Sequence, residues 1–359
     1  MAEQYTPQQR QALFAQATRQ NMQMIPQGTA TGGATTLQFN LPKARLLSKL
    51  WVEFTAVVKV THASKANFPV DALTPYKIIR RLQLDLNNGF SPFVIGGKEL
   101  ALLNCVRQCP ENVLYSADAR KNQADAICYM SDTKTGKDIT LHFMCEMPVT
   151  LNDRDLIGLI LLQSSETVVT LTVDIGNGAD LLTTEETGYT VEIKSVKVNP
   201  MAETFSVPAV QSAFPDISVL KLVSSRTEAF TGAGQNIIKL ATGTIYRKLM
   251  LYITDDCGVP FENDDILSNI DLVFNQADVN YSIKPSMLRG VNQSHLGFML
   301  PKGCYLFDFT YQGVPNYGGT RDYIDTGLLT EFWVRFNSQK SGKVSIISEN
   351  LSKLTMSGQ

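Results

Sequence analysis

The chain has 359 residues, 44% of them hydrophobic and 18% charged, with a formal net charge of −2. A near-neutral balance without a cationic cluster excludes a protein that coats nucleic acid, because phosphate neutralisation needs a dense basic surface. The length exceeds one ordinary domain and fits two of about 150 residues each, and the shortage of charge fits strands rich in Val, Ile, Leu, Thr and Phe.

The N-terminus lacks the basic head, apolar middle and small-residue site of a secretory signal, and no apolar run of about 18 residues follows, so a cytoplasm-like compartment is expected. Thr6-Pro7-Gln8-Gln9 is a helix start, with Thr6 as N-cap, Pro7 at the first helical position and Gln9 closing a capping box. A helix is predicted from Pro7 to about Met24, with Leu13, Phe14, Ala17 and Met24 on one side, glutamines over the rest, and Arg10 and Arg19 as its charges. Such an arm can lie on a membrane surface, dock on a neighbouring subunit, or pack passively. Pro26 to Thr36 is rich in Gly, Thr and Ala and reads as a flexible joint.

The stretch Leu37–Val60, LQFNLPKARLLSKLWVEFTAVVKV, opens a β-domain and is echoed about 200 residues later by Asn236–Asp255, NIIKLATGTIYRKLMLYITD. Lys49-Leu50-Trp51-Val52-Glu53-Phe54 answers to Lys248-Leu249-Met250-Leu251-Tyr252-Ile253. Downstream, Leu82, Leu84, Leu86 and Asn87 match Ile270, Leu272, Phe274 and Asn275, and a helix-like segment follows each. Ile139–Cys145 then answers to Cys304–Phe309, Thr167–Ile175 to Glu331–Phe336, and Gly188–Lys194 to Gly342–Ser348. Five matches in one order predict a duplicated all-β domain.

Between these strands, Glu99–Arg107 reads as a short helix and Gln108–Lys137 as a long polar excursion at one end of the domain. Asn199–Pro215, with three prolines, reads as the interdomain linker. The expected division is an arm and joint over 1–36, a first domain over 37–200, a linker over 201–216, a second domain over 217–351 and a polar tail over 352–359.

Assembled chemistry is missing. His62, His142 and His295 are scattered, and a metal-holding jelly roll needs His-x-His or a comparable cluster. No nucleophile elbow, phosphate loop or dinucleotide fingerprint occurs; Gly176-Asn177-Gly178 reads as a hairpin turn. The acidic loop Asp255, Asp256, Glu262, Asp264 and Asp265 lacks the spacing of a calcium loop and reads as a solvated turn. Cys105, Cys109, Cys128, Cys145, Cys257 and Cys304 form no CxxC pair and read as buried or loop thiols. The basic runs Lys77–Arg81 and Arg120–Lys121 read as solvated strand ends or loops. No catalytic residue, metal ligand or cofactor is expected, and the chain is not expected to be an enzyme.

The Gln-rich N-terminal helix, FNLPKARLLSKLWVEF opening the first domain and YKIIRRLQLDLNNGFSPF as its next strand resemble the double jelly-roll major capsid proteins of tailless, internally membraned double-stranded DNA bacteriophages of the tectivirus type. The resemblance implies two tandem eight-stranded jelly rolls with an N-terminal α-helical arm. It implies a homotrimer forming a pseudo-hexagonal tile, with neighbouring capsid trimers and penton or other minor capsid proteins as partners, in an icosahedral virion shell assembled in the host cytoplasm. The shell would enclose an internal membrane and a double-stranded DNA genome, without sequence-specific nucleic-acid binding by this chain. Arg10, Leu13, Phe14 and Arg19 are then expected at a membrane or inter-subunit contact, the arginines meeting anionic headgroups and the apolar pair dipping shallowly.

The alternative is a viral spike or lectin-like β-sandwich that binds a receptor or carbohydrate, with Tyr311, Tyr317 and Tyr323 stacking on sugars. A double-jelly-roll hydrolase or metal oxygenase is the third.

Overall fold

The computed structural model describes residues 7–87, 89–114, 129–130, 133–151, 156–163, 168–182, 187–215, 217–310 and 323–353. Much of the 108–137 excursion, most of the Tyr-rich 312–326 segment and the end of the C-terminal tail fall outside them.

The first half runs α1 (Pro7–Ala17), β1 (Gln20–Met24), β2 (Gly28–Thr31), β3 (Thr36–Asn40), β4 (Leu46–Thr61), β5 (Ile79–Leu86), β6 (Phe90–Ile95), α2 (Gly97–Gln108), α3 (Pro110–Val113), β7 (Tyr129–Met130), β8 (Asp138–Pro148), β9 (Ile160–Leu161), β10 (Val169–Ile175) and β11 (Thr190–Phe205). The second half runs β12 (Val219–Phe230), β13 (Gly234–Leu240), β14 (Ile245–Asp255), β15 (Ile270–Phe274), β16 (Asp278–Ile283), α4 (Pro285–Leu296), β17 (Cys304–Asp308), β18 (Ile324–Asp325), β19 (Phe332–Ser338) and β20 (Gly342–Lys353).

Strand pairing makes the duplication explicit. One sheet of the first half has the order β1-β11-β4-β8, with β2 continuing the β1 row along β11; its counterpart in the second half is β12-β20-β14-β17. The facing sheets are β3-β10-β5-β6 and β13-β19-β15-β16. Each half is a jelly roll of four strands facing four, the architecture expected from the sequence. With Leu50 set on Leu249, the registers coincide along the sheets. Ser48 and Arg247 each sit in a β-bulge against β11 and β20, respectively. Asn87 (φ 52°) and Asn275 (φ 48°) end β5 and β15 in the same left-handed turn, where asparagine is tolerated. Each side chain accepts the amide of the strand beside it, Val168 at 2.9 Å and Thr330 at 3.0 Å.

The strands follow from alternation. In β4 every second residue from Val52 to Val60 is buried and those between are half-exposed, as one face of a sheet requires. Two large cores result: one of the second roll alone, around Phe261, Phe332 and Phe336, and one of the first roll that also takes in Val223, Met250, Cys304 and Ile347 from the second. The rolls are joined edge to edge, because β6 pairs in parallel with β12, Phe93 opposite Val223 and Val94 opposite Ser224. This makes a single nine-stranded sheet that crosses from one roll into the other.

Five expectations change. The helix ends at Ala17, where the Thr18 amide and hydroxyl both donate to the Phe14 carbonyl (3.0 and 2.7 Å), and residues 20–24 are a strand because β11 offers a ladder from Met201 to Phe205. The joint is not free: Gly28–Thr31 pairs with β11, and Gly28 lies so close to the Phe39 ring that a Cβ there would sit 2.6 Å from it. The arm and joint therefore supply the first strand of the first roll. The linker expected from 201 begins inside β11, and the connection is 206–218. Finally, Gly176-Asn177-Gly178 is no hairpin: Asn177 caps a 3-10 turn carrying the chain from β10 to β11 in the opposite sheet. The match of Gly188 with Gly342 also shifts, since in register Val196 stands opposite Gly342; β11 runs further because β4 extends to Thr61 while β14 stops at Asp255.

Candidate assembly surfaces

The residues expected to touch a membrane or a neighbour divide. Arg10 and Arg19 are exposed and Leu13 is half-buried. Phe14 is only 3% exposed and packs with Leu46 and Leu159, its ring edge-on to Phe205 at 5.4 Å. In this arrangement Phe14 does not dip into a bilayer: the apolar surface that it would offer is already used by the protein.

The junction between rolls is built around α2 and the outward face of the sheet containing β12, β20, β14 and β17. Helix α2 is buried along most of its length, Leu100 to Val106, because it has its own roll on one side and β20 near it on the other. The Ser345 hydroxyl donates to Glu99 across the junction at 3.0 Å. Lys221 on β12 is fully buried; it donates to the Thr150 carbonyl of the first roll at 3.3 Å and pairs with Glu349 at 3.0 Å. Burial holds the Lys221 ammonium below its ordinary pKa, against the pull of Glu349. Burial pushes the Glu349 carboxyl up, but Lys221, Lys248 and Arg247 outweigh it and the net direction is down. Each partner thus favours the charged form of the other against the cost of burial.

Exposed apolar side chains are scattered over the described surface, Leu267 and Leu328 among them, and two pairs of them lie at the open edges of the sheets. β1, of sequence QNMQM, carries no charge and exposes Met22 (60%) and Met24. α4 exposes Met287 (62%) and Val291 one turn apart, while Leu288 and Asn292 face inward. Both lie at sheet edges, β1 beside β11 and β16, which leads into α4, beside β15. Edge strands are commonly protected by charge, and neither β1 nor the middle of β16 has any.

The other candidate groups are engaged locally. The His62 ring accepts the Ser64 and Lys65 amides and lies 4.5 Å from the Tyr189 ring. His142 contacts Glu53 at 3.3 Å and Thr55 at 3.1 Å, and His295 is exposed at the end of α4. Asp255 accepts the Cys257 and Val259 amides, Asp265 accepts that of Glu262, and Lys340 lies between the two aspartates, so the acidic loop is a set of turns. Lys77, Arg80 and Arg81 pair with Asp71, Asp180 and Asp174 along a cleft of about 860 Å³ between the rolls. Among the described residues, no three His, Cys, Asp or Glu side chains converge as metal ligands. Cys105, Cys145 and Cys304 are buried thiols, and burial raises Cys304 to about 12. Tyr323 is half-buried, while Tyr311, Tyr317, Cys128, Arg120 and Lys121 lie outside the described residues.

No family model matches the chain and no curated protein is similar to it. Solved structures are. The crystal structure of the STIV MCP is 13% identical with a TM-score of 0.68, over 93% of this chain and 97% of that one. A quasi-atomic model of the PBCV-1 virus capsid is 10% identical with a TM-score of 0.64, over 98% and 95%. The major capsid protein P2 from Bacteriophage PM2 is 9% identical with a TM-score of 0.54, over 95% and 100%. At such identities the likeness is one of fold, and it spans both rolls of this chain.

Proposed function

We propose that this chain is a major capsid protein: a non-enzymatic shell subunit that associates as a homotrimer, six rolls making a pseudo-hexagonal tile, many tiles closing an icosahedral virion. The observation that carries the reading is the pair of rolls with one topology, joined edge to edge by β6 and β12, with the uncharged β1 at the open edge of the first roll and β16, uncharged from Val279 to Ile283, at that of the second. A jelly roll closes most of its strand edges internally, so its flanks are the adhesive surfaces, and interfaces of this kind are large and apolar. The structures similar in fold include proteins described as capsid components along their whole length.

The finer reading is a shell assembled in the host cytoplasm around an internal membrane and a double-stranded DNA genome, with other capsid trimers and penton or minor proteins as neighbours. With Phe14 turned inward, the arm would meet a membrane chiefly through the exposed Arg10 and Arg19. Sedimentation of the purified chain at micromolar concentration tests the reading. A trimer is expected; a strict monomer would overturn it.

A further inference from the structure

The junction inside the chain is a template for the junction between chains. Register equivalence places Met22 where Val223 stands, and Tyr281 where Phe93 stands. Val223 and Phe93 are opposite one another in the parallel β6–β12 pair and both are buried, at 1% and 2% exposure. Met22 is 60% exposed on an edge strand, and Tyr281 is half-buried on another.

The outward face of the sheet repeats the comparison. Met250, Cys304 and Ile347 on the second roll are buried in the core shared with the first roll. Trp51, Met144 and Met201 hold the same places on the first roll and remain partly exposed, apolar residues on a face that nothing in the same chain covers as fully. The helices complete the set. Glu99 and Leu103 of α2, buried at the junction side of the first roll, correspond to the exposed Met287 and Val291 of α4. Each chain therefore has one satisfied junction and one unsatisfied half-junction at either end, with matching apolar chemistry.

We infer that a second copy of this chain occupies them: β16 adds in parallel to β1 of the next copy, Tyr281 opposite Met22 and Ser282 opposite Gln23, while α4 lies over the face that carries Trp51 and Met201, Met287 falling at Asn199, the counterpart of the Ser345 that Glu99 meets. The inference rests on the self-associating reading above and names the faces that meet. The contact is head to tail, so copies add in one direction, and the ring closes at three when each junction turns the path by one sixth of a circle. Gln20 supports the register independently. It stands at the place of Lys221 and donates to Glu203, the counterpart of Glu349, at 2.5 Å. Thr310, the counterpart of the Thr150 that Lys221 reaches, is half-buried at the other open end. Burial of these apolar side chains favours such an association.

The test combines a cross-link with a disruption. Gln23→Cys with Ser282→Cys places two exposed positions at the separation of paired strands, within disulfide reach. Under mild oxidation the double variant should give a covalent ladder ending at three chains in non-reducing gels, and each single variant should give none. Met287→Asp, at a residue exposed in the single chain, should leave its circular dichroism and melting unchanged per chain but weaken association about a hundredfold, because the carboxylate would be buried unpaired. A wild-type trimer with neither a ladder nor any effect of Met287→Asp overturns the inference and leaves the self-associating reading standing. A ladder running past three supports the junction and contradicts the closed trimer. A monomeric wild type overturns both.

Discussion

Asn104 and Asn292 occupy the same place in the two rolls. Asn292, buried on α4, donates to the Leu306 carbonyl at 2.8 Å and accepts the Leu306 amide at 3.1 Å. Asn104, buried on α2 and with its amide oriented to satisfy both groups, bridges the carbonyl and amide of Glu146 at 2.9 Å each. Glu146 and Leu306 are themselves register equivalents on β8 and β17. One side chain thus closes the open backbone edge of the same strand in both copies and ties a helix to it.

Removing that clamp leaves one donor and one acceptor of a buried backbone unsatisfied. Asn292→Ala and Asn104→Ala should each cost on the order of 3 kcal/mol, read as a lower urea midpoint at unchanged slope. Asn292→Asp should not restore stability, since an ionised carboxylate cannot donate to the Leu306 carbonyl. A loss below about 0.5 kcal/mol in either alanine variant would contradict the shared role.

The Lys221–Glu349 pair gives a second prediction. Lys221→Met strands the Glu349 carboxylate in the interior and should cost about 3–5 kcal/mol, whereas Lys221→Met with Glu349→Leu should recover most of it. The pH dependence has a definite sign. A carboxyl held below its unfolded value stabilises the protein above that value, and the contribution drains as pH falls through the folded one. Unfolding should therefore become easier below pH about 4.5, and the acid limb should be shallower in Glu349→Gln.

Phe14 gives a third. Truncation to alanine removes the residue that docks α1 on Phe205, Leu46 and Leu159. Limited proteolysis should then cut within residues 7–19, while β1 onward stays protected by its ladder with β11. Equal protection in the two proteins would show that α1 is held by something else.

Much of this fold was legible in the sequence because strand alternation is a local signal and the two halves repeat their strands in one order. The place of Asn87 against Asn275 held to the residue, since a left-handed turn at a strand end restricts the choice of side chain. The first strand was misread. QNMQM offers only two apolar residues, and its strand conformation is imposed by β11, a partner about 180 residues away in sequence. The junction was legible only in part. Lys221 within VLKLV and Asn104 within ELALLNCV are polar residues in apolar runs, a sign of a buried partner, yet nothing local says that the partners are Glu349 and Glu146. The exposed methionines of β1 and α4 acquire meaning only beside their buried counterparts, and that comparison requires the register of both rolls.

Electron microscopy of the purified chain tests the account most directly. Class averages should show a particle of three chains with six lobes of equal size around a threefold axis and a hexagonal outline. Single two-lobed particles, or an oligomer whose rolls do not alternate first and second around the ring, would contradict it.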